Sequence, residues 1–214
     1  MNRENIIVLD FGGQYSHLIT RRIRDLSVYA ELLPYDTSAD EIASMNPSGI
    51  ILTGGPNSVY DENSPKPDFK IFDLGIPILG ICYGLQIIVD KMGGSITRTD
   101  KREYGKALLS ISSEQKLFQG LESNTDVWMS HGDATKILPD NFESIATTEN
   151  SPYAAIRSNN LFGVQFHPEV THTKDGGKIL SNFIYEICGC KGLWTMDSFV
   201  DNTIDKIKAQ VGKD

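Results

Sequence analysis

The sequence predicts an α/β protein with a mostly parallel sheet, helices on both faces of the sheet and an antiparallel addition. In the first half of the chain, short apolar runs alternate with amphipathic stretches. Such runs are typical of parallel strands that are buried on both faces. In the second half, short strand-like segments follow one another with turns between them, which is typical of antiparallel pairing.

The elements of the first half follow from their hydrophobic spacing. Residues 6–9 form an uninterrupted apolar run and predict the first strand. Residues 15–26 predict a helix with one apolar side, formed by Leu18, Ile19, Ile23 and Leu26. Further strands are predicted over 28–33, 49–52 and 77–81, and a helix over 85–92.

The elements of the second half are shorter. Strands are predicted over 108–112, 127–130, 144–148, 153–157 and 162–166, and a helix over 178–187. A basic cluster precedes the first of them and consists of Arg98, Lys101, Arg102 and Lys106. We interpret this cluster as a solvated loop, with docking on another protein domain as an equal alternative.

Composition limits the kinds of function that fit. The 214 residues are 40% hydrophobic, which suffices for one well-packed domain, and the net charge of −8 argues against a nucleic-acid groove. The chain has no apolar run of about 18 residues and no signal-peptide pattern, so we expect no membrane span. Three cysteines cannot all pair, and Cys188-Gly189-Cys190 is not a zinc or redox spacing. These features predict a cytoplasmic protein.

One cysteine stands between two glycines at a predicted strand-to-helix junction. The segment is Gly80-Ile81-Cys82-Tyr83-Gly84. Glycines tolerate the sharp turn that such a junction needs, and the thiol then lies at a helix N-terminus, where the helix dipole favours a thiolate. The pattern is that of a nucleophile elbow. A buried cysteine beside an ordinary turn is the alternative for this segment taken alone.

A histidine and a glutamate lie 85 residues further on, in Gln165-Phe166-His167-Pro168-Glu169. In extended backbone the side chains of His167 and Glu169 point to the same side, and Pro168 favours that backbone. A carboxylate on one ring nitrogen leaves the other free to accept a proton from sulfur. Cys82, His167 and Glu169 therefore predict a nucleophile, its base and the group that orients the base. A histidine that merely caps a strand end is the alternative.

Five ordered segments resemble one family of enzymes. They are the elbow, the Gln165–Glu169 segment with its extension to Thr173, and the stretches 9–15, 46–56 and 126–133. On these the chain resembles class I (triad) glutamine amidotransferases, and within them the amidotransferase domain of GMP synthetases. The resemblance runs from Ile6 to about Gln210 and implies a flavodoxin-like sheet. It also implies hydrolysis of L-glutamine to glutamate and ammonia, which is passed on to aminate XMP to GMP.

The resemblance assigns further residues to the site. The oxyanion hole is expected from the backbone N–H groups of Gly55 and Tyr83. Gln86, one helical turn after Cys82, is expected to contact glutamine, and an ordinary residue on the helix surface is the alternative. The backbone of a loop formed by Ser130, His131 and Gly132 is expected to contact the amino-acid end of glutamine, whereas the His131 ring could bind, support the site or simply pack. His172 is expected to face a partner, and His17 to lie on the exposed side of its helix.

The resemblance also divides the chain and implies a partner. We predict an amidotransferase domain over 1–190 and a helical linker over 191–214, because apolar residues recur at helical spacing after Met196. The linker would lead to a missing ATP pyrophosphatase domain, or the chain would be a separate subunit. No cofactor or metal is expected in this chain, since ATP and magnesium belong to the synthetase domain.

Other functions remain open from the sequence. The same chemistry could serve another acceptor, as in anthranilate, aminodeoxychorismate, CTP or carbamoyl phosphate synthesis. A cysteine peptidase or chaperone could use a similar elbow, although the His-Pro-Glu segment argues against both. The third alternative is an inactive regulatory module, which the intact Cys82, His167 and Glu169 disfavour.

Overall fold

The computed structural model describes residues 4–112, 115–196 and 208, and over residues 99–102 it describes the backbone. In this part of the chain one sheet contains nine strands. They are β1 (Asn5–Asp10), β2 (Tyr29–Pro34), β3 (Gly49–Leu52), β4 (Ile78–Ile81), β5 (Ser95–Ile111), β6 (Asn124–Ile137), β7 (Glu143–Thr147), β8 (Ala155–Ser158) and β9 (Leu161–Val164). The α-helices are α1 (Ser16–Asp25), α2 (Ala39–Ser44), α3 (Tyr83–Lys91) and α4 (Gly176–Asn182), and α4 continues as a π-helical turn over Phe183–Ile187. Short 3-10 helices span Phe69–Asp73 and Lys116–Phe118.

The strand order across the sheet is β2-β1-β3-β4-β9-β8-β7-β5-β6. The first five strands of this order pair in parallel, and the last four add antiparallel pairs at one edge. The predicted fold class, a flavodoxin-like parallel sheet with an antiparallel addition, is confirmed. Strand β9 joins the parallel part from far along the chain, and this brings the segment after it beside the end of β4.

Alternating side chains of the parallel strands fill two layers of core. On β1, Ile6 and Val8 pack in the same cluster as Ile19 and Ile23 of α1, and the α4 residues belong to that cluster as well. Ile7 and Leu9 of the same strand belong to the other layer, which α2 and α3 cover. Full burial on both faces explains why these strands are apolar without interruption.

The basic cluster corrects the interpretation of a loop. Arg98 and Lys106 both lie in β5, which is 17 residues long and pairs with β6 along most of its length. Side chains along a strand alternate between its two faces, and Lys106 lies on the exposed side of β5 while its neighbour Ala107 lies on the opposite side. The basic residues therefore belong to the exposed side of a strand and not to a loop. Lys106 forms an ion pair with Asp126 of β6, at 2.9 Å between Nζ and Oδ2.

Helix α2 was not predicted, although its sequence carries a start signal. The Ser38 side chain caps the helix by accepting a hydrogen bond from the Glu41 N–H at 3.2 Å. Six residues are too few for the hydrophobic spacing to show a helix, and the capping pair is the sequence feature that marks it.

Two predictions fall on the C-terminal residues. The helix predicted from Met196 onward lies almost wholly outside the described residues, and the boundary between 1–190 and 191–214 stays a prediction. The described residues just before it run along the main body, where the Trp194 N–H donates to the Ser27 carbonyl at 2.8 Å. None of the helices in the described part of the chain has the length and apolar character needed to cross a bilayer.

Candidate active site

Cys82 stands alone between β4, which ends at Ile81, and α3, which begins at Tyr83. Its φ of 53° and ψ of −103° place a non-glycine residue in strained backbone geometry. The two flanking glycines provide room for this turn. A Cβ on Gly80 would lie 2.5 Å from the Gly84 carbonyl, and a Cβ on Gly84 would lie 2.3 Å from the Leu52 oxygen. The strain is therefore on the cysteine, and the glycines permit the close approach of strand and helix.

His167 and Glu169 form a buried pair directly after β9. His167 Nδ1 lies 2.7 Å from Glu169 Oε1, and both side chains are almost completely shielded from solvent. The backbone around them is tied down, because the His167 N–H donates to the Trp128 carbonyl and Thr173 Oγ1 donates to the His167 carbonyl. From α1, Arg22 Nε donates to the Glu169 carbonyl at 3.1 Å. The imidazole is thus held in one orientation.

The imidazole of His167 faces Cys82. Burial lowers the pKa of His167, but hydrogen bonds to Cys82 and Glu169 outweigh burial and raise it to about 10. Around the sulfur, Gln165 Nε2 lies 3.7 Å from Sγ, and Sγ lies 3.8 Å from the Ser130 carbonyl oxygen. The structure therefore places an imidazole that favours its protonated form between a thiol and a carboxylate.

These groups open onto a cavity of about 690 Å³. Eight of the nine residues predicted from the sequence line it, namely Gly55, Cys82, Tyr83, Gln86, Ser130, His131, Gly132 and His167. The ninth, Glu169, lies behind the imidazole of His167 and does not reach the cavity wall. Residues that are far apart in sequence thus form the single pocket that the predictions require.

Gly55 and Tyr83, the two residues predicted to form the oxyanion hole, both line this cavity. Tyr83 is the first residue of α3, so its N–H has no acceptor within the helix. Among the described residues, no hydrogen bond uses the N–H of either Gly55 or Tyr83. The neighbouring Gly54 is packed tightly, since a Cβ there would lie 3.2 Å from His167 Cε1. These two N–H groups therefore remain candidates for the oxyanion hole.

Gln86 is buried and fixed by one contact. Its Nε2 donates to the Asp133 carbonyl at 3.1 Å. The carboxylate of Asp133 accepts hydrogen bonds from Ser58 Oγ and, at 2.9 Å, from the Tyr60 hydroxyl. Asp133 therefore joins α3, β6 and the segment after β3 at the cavity wall.

A loop was expected at Ser130, His131 and Gly132, but these residues lie in strand β6. The strand continues past the cavity because it pairs with β5, whose length the sequence concealed. The His131 ring is buried, with Nδ1 2.9 Å from the Asp133 carbonyl and Nε2 3.2 Å from Glu103 Oε2. Its partners are protein atoms, so the ring supports the cavity wall.

Three residues near the site were not assigned from the sequence, namely Glu103, Asp133 and Gln165. Gln165 follows β9 as a polar residue within an apolar run, and that interruption is a usable signal. Glu103 has no such signal, because charged residues surround it in sequence and only strand pairing buries it. Within the ranges 4–112 and 115–196, no three His, Cys, Asp or Glu side chains are grouped so that they could hold a metal ion.

The outcomes for the two remaining histidines differ. His17 lies on the exposed side of α1, as predicted. His172 is exposed and its ring lies 4.5 Å from the ring of Trp128, at an angle of 34°. His172 is therefore at the surface beside β6, and a role toward a partner stays a prediction.

Comparison with known proteins gives a family match over most of the chain. The family model described as glutamine amidotransferase class-I matches residues 7–187. GMP synthase (glutamine-hydrolyzing) from Clostridium botulinum (strain Alaska E43 / Type E3) is 52% identical over 214 residues, which are 99% of this chain and 42% of that protein. The GMP synthase from Caldanaerobacter subterraneus is 50% identical, with the same coverage. The chain thus spans about two fifths of the length of the curated relatives that it matches.

Solved structures agree with this match. A protein from Thermoplasma acidophilum that is described as one subunit of a GMP synthase is 33% identical, with a TM-score of 0.76 over 87% of this chain and 94% of its own. A glutamine amidotransferase from Thermotoga maritima is 18% identical with a TM-score of 0.74, over 88% of this chain and 99% of its own, and shows the shared fold. The family that the sequence resembles is confirmed: this chain belongs to the class-I glutamine amidotransferase family.

Proposed function

We propose that this chain hydrolyses L-glutamine to glutamate and ammonia, with Cys82 as nucleophile. One observation carries the proposal. A cysteine in strained backbone geometry faces an imidazole whose far nitrogen lies 2.7 Å from a buried carboxylate, at the wall of a cavity of about 690 Å³. Nucleophile, base and orienting acid in this arrangement are the parts that acyl transfer from an amide requires.

The chemistry follows from the positions of these groups. The Cys82 sulfur attacks the side-chain amide carbon of glutamine, and His167 gives its proton to the departing nitrogen, so that ammonia leaves and a thioester remains. His167 then removes a proton from water, which attacks the thioester and releases glutamate. Glu169 holds the imidazole in one tautomer and stabilises its charged form throughout. The His167 pKa, raised to about 10, agrees with an imidazolium that is ready to donate.

The cavity wall supports both the oxyanion and the substrate. The N–H groups of Gly55 and Tyr83 would donate to the oxygen that becomes negative when sulfur attacks. Gln86 lines the cavity and its amide nitrogen is engaged by the Asp133 carbonyl, so its amide oxygen is the atom that would accept from glutamine. The backbone of Ser130 and Gly132 faces the same space and would contact the amino-acid end of glutamine.

We further propose that the ammonia aminates XMP to GMP in a synthetase domain or subunit. The support is the identity of about 50% to GMP synthases over nearly the whole chain. ATP and magnesium would bind only in that synthetase part. Amidotransferases of the anthranilate or aminodeoxychorismate type remain the alternative acceptor systems, and the relatives found do not favour them.

A mixed surface on the hairpin of β5 and β6 is the candidate contact for the synthetase. Tyr104 and Leu108 of β5 are 65% and 58% exposed, an unusual degree for large apolar side chains. Lys106 lies between them, opposite Trp128, on which the His172 ring packs. Tyr104 also lines the cavity, so a partner on this surface would touch the mouth of the active site.

Reconstitution tests the acceptor. We expect the isolated chain to hydrolyse glutamine slowly, because unused ammonia would be lost while the acceptor is not activated. Adding the ATP pyrophosphatase domain of a GMP synthase with ATP, magnesium and XMP should raise glutamine turnover at least about tenfold, or roughly 1.4 kcal/mol of barrier. Equal turnover with and without that domain and its substrates would contradict the coupling. Stimulation by a chorismate-aminating synthase instead would show a different acceptor.

Variants on the hairpin test the contact. Leu108→Asp and Lys106→Glu should reduce the stimulation by the synthetase domain while the slow hydrolysis by the isolated chain stays unchanged. Ile137→Asp is a matched control, since Ile137 is 57% exposed on the same hairpin but lies at the far end of β6. An equal loss of stimulation in Ile137→Asp would show that the effect does not come from this surface. Arg102 belongs to the same basic cluster, but its side chain lies outside the part of the chain that the structure describes.

A further inference from the structure

Glu103 and His131 form a second buried pair near the cavity, and the proposed mechanism does not use it. They are direct cross-strand partners on the buried side of β5 and β6. His131 Nε2 lies 3.2 Å from Glu103 Oε2, and Nδ1 lies 2.9 Å from the Asp133 carbonyl oxygen. The other carboxylate oxygen, Oε1, accepts a hydrogen bond from Thr148 Oγ1 at 3.1 Å. Both ring nitrogens of His131 therefore meet oxygen atoms.

The number of protons on this pair follows from its partners. A carbonyl oxygen only accepts, so the contact between Nδ1 and Asp133 requires a proton on Nδ1. On the other side, Nε2 and Oε2 can form a hydrogen bond only if one of the two atoms carries a proton. Glu103 and His131 together must then hold one proton more than a neutral imidazole and an ionised carboxylate. Buried polar groups rarely stay unpaired, which supports this count.

The same contacts reach the substrate side of the cavity. The Asp133 carbonyl accepts hydrogen bonds from His131 Nδ1 and from Gln86 Nε2. Gln86 therefore has its amide nitrogen directed at Asp133, and its oxygen is the atom left for a ligand. If the Asp133 carbonyl lost its His131 donor, the carbonyl could rotate, and the orientation of the Gln86 amide would no longer be fixed.

We propose that Glu103 and His131 are positioning residues, which share one proton and thereby hold the Gln86 amide in the orientation that binds glutamine. This inference rests on the proposed glutamine hydrolysis and adds a residue pair that sets the affinity for the substrate. Loss of the shared proton would weaken glutamine binding, while the groups that carry out the chemistry stay in place.

The direction of the pH effect follows from burial. Burial lowers the pKa of His131, the Glu103 carboxylate and the Asp133 carbonyl oppose that effect, and nearby His167 lowers the pKa further. These are the charged or titratable groups that face the ring, Glu103 from β5 and His167 from the segment after β9. Burial prevails and leaves the pKa of His131 below its ordinary value of 6.5, so the shared proton is lost as pH rises toward that value, and KM for glutamine should rise over the same range.

Substitution of Glu103 by glutamine separates the proton from the geometry. A glutamine amide donates to Nε2 by itself, so the ring keeps its proton on Nδ1 and its bond to Asp133. Glu103→Gln should therefore bind glutamine at about pH 5 within about threefold of the wild type, but without the rise in KM toward about pH 7. Glu103→Ala leaves Nε2 unpaired and should raise KM about tenfold, with a smaller change in kcat. Glu143→Gln, an exposed carboxylate on β7 that pairs with Arg157, is the control of equal charge change.

The experiment measures kcat and KM for glutamine from about pH 5 to about pH 8 in the four proteins, with thermal unfolding to show that each variant is folded. A rise in KM between about pH 5 and about pH 7 in the wild type and Glu143→Gln, absent in Glu103→Gln, is the expected result. The same pH profile in the wild type and Glu103→Gln would overturn the inference, even if Glu103→Ala fails to fold.

A second measurement does not depend on glutamine. Nitrogen NMR of the His131 ring should show Nδ1 protonated at about pH 5 in both the wild type and Glu103→Gln. A ring that carries its proton only on Nε2 would overturn the inference. A folded wild type that has Nδ1 protonated but releases no ammonia from glutamine would refute the proposed function and leave the proton count intact.

Discussion

Gly54 is the position where one added methyl group tests the geometry of the site. Its φ lies outside the left-handed region, so alanine can adopt its backbone conformation. The new Cβ would lie 3.2 Å from His167 Cε1 and 3.6 Å from Cys82 Cβ. Ordinary contacts between carbon atoms are about 3.5 to 4.0 Å, so the imidazole must move by about half an ångström.

The imidazole has little freedom to make that movement. Its Nδ1 is bonded to Glu169 at 2.7 Å, and the His167 backbone is bonded to Trp128 and Thr173. The displacement therefore disturbs the contact between the ring and the Cys82 sulfur. Because misplacement by about 1 Å costs about 100-fold in rate, Gly54→Ala should lower kcat/KM about tenfold, or about 1.4 kcal/mol of barrier.

Steady-state release of glutamate measures the effect, with thermal unfolding of each protein as a check. Gly177→Ala is the matched control, since a Cβ at this exposed position of α4 meets no atom within 4 Å. Alanine there should raise helix stability by up to about 1 kcal/mol and leave turnover unchanged. Wild-type kcat/KM in Gly54→Ala would refute the close packing of Gly54 against His167 on which the proposed base depends.

Three further outcomes follow from the same geometry. Cys82→Ser and His167→Ala should each abolish hydrolysis and keep the fold. Glu169→Gln should retain more activity than either, because Glu169 orients the base and does not itself react. Ammonia release from the three variants gives the order of their activities. Cys188→Ala and Cys190→Ala should leave turnover unchanged, because burial raises the pKa of both thiols and neither stands in an elbow; a loss of turnover in either would contradict this. The His167 pKa, raised to about 10, contributes stability that is complete below its ordinary value of about 6.5 and is lost as pH rises through about 10. The difference in free energy of unfolding between the wild type and His167→Asn should therefore shrink over that range, and a constant difference would contradict the raised pKa.

Much of the parallel half of the sheet could be predicted from the sequence. Strand β3 was predicted at its observed bounds, because strands buried on both faces are continuous apolar runs. Only parts of β5 and β6 were predicted, over 108–112 and 127–130, since one side of each strand is exposed and carries charged residues such as Lys106. The long-range pairing of the two strands, and not local preference, keeps this charged stretch extended.

The candidate site divides in the same way. Cys82, His167 and Glu169 could be predicted because each lies in a local pattern with a chemical reason. The residues that hold these three in place make contacts across the fold. Arg22 of α1 donates to the Glu169 carbonyl, and Glu103 contacts the His131 ring. No local pattern marks such residues, because their partners are 147 and 28 positions away in sequence.

Covalent labelling can identify the nucleophilic thiol of this chain. A glutamine analogue that carries an electrophile in place of the side-chain amide, such as 6-diazo-5-oxonorleucine, should modify one thiol, and peptide mass spectrometry identifies which. We expect a single adduct on Cys82, which excess glutamine prevents and Cys82→Ser removes. An adduct on Cys188 or Cys190, or labelling of Cys82 at the same rate in His167→Ala as in the wild type, would contradict it.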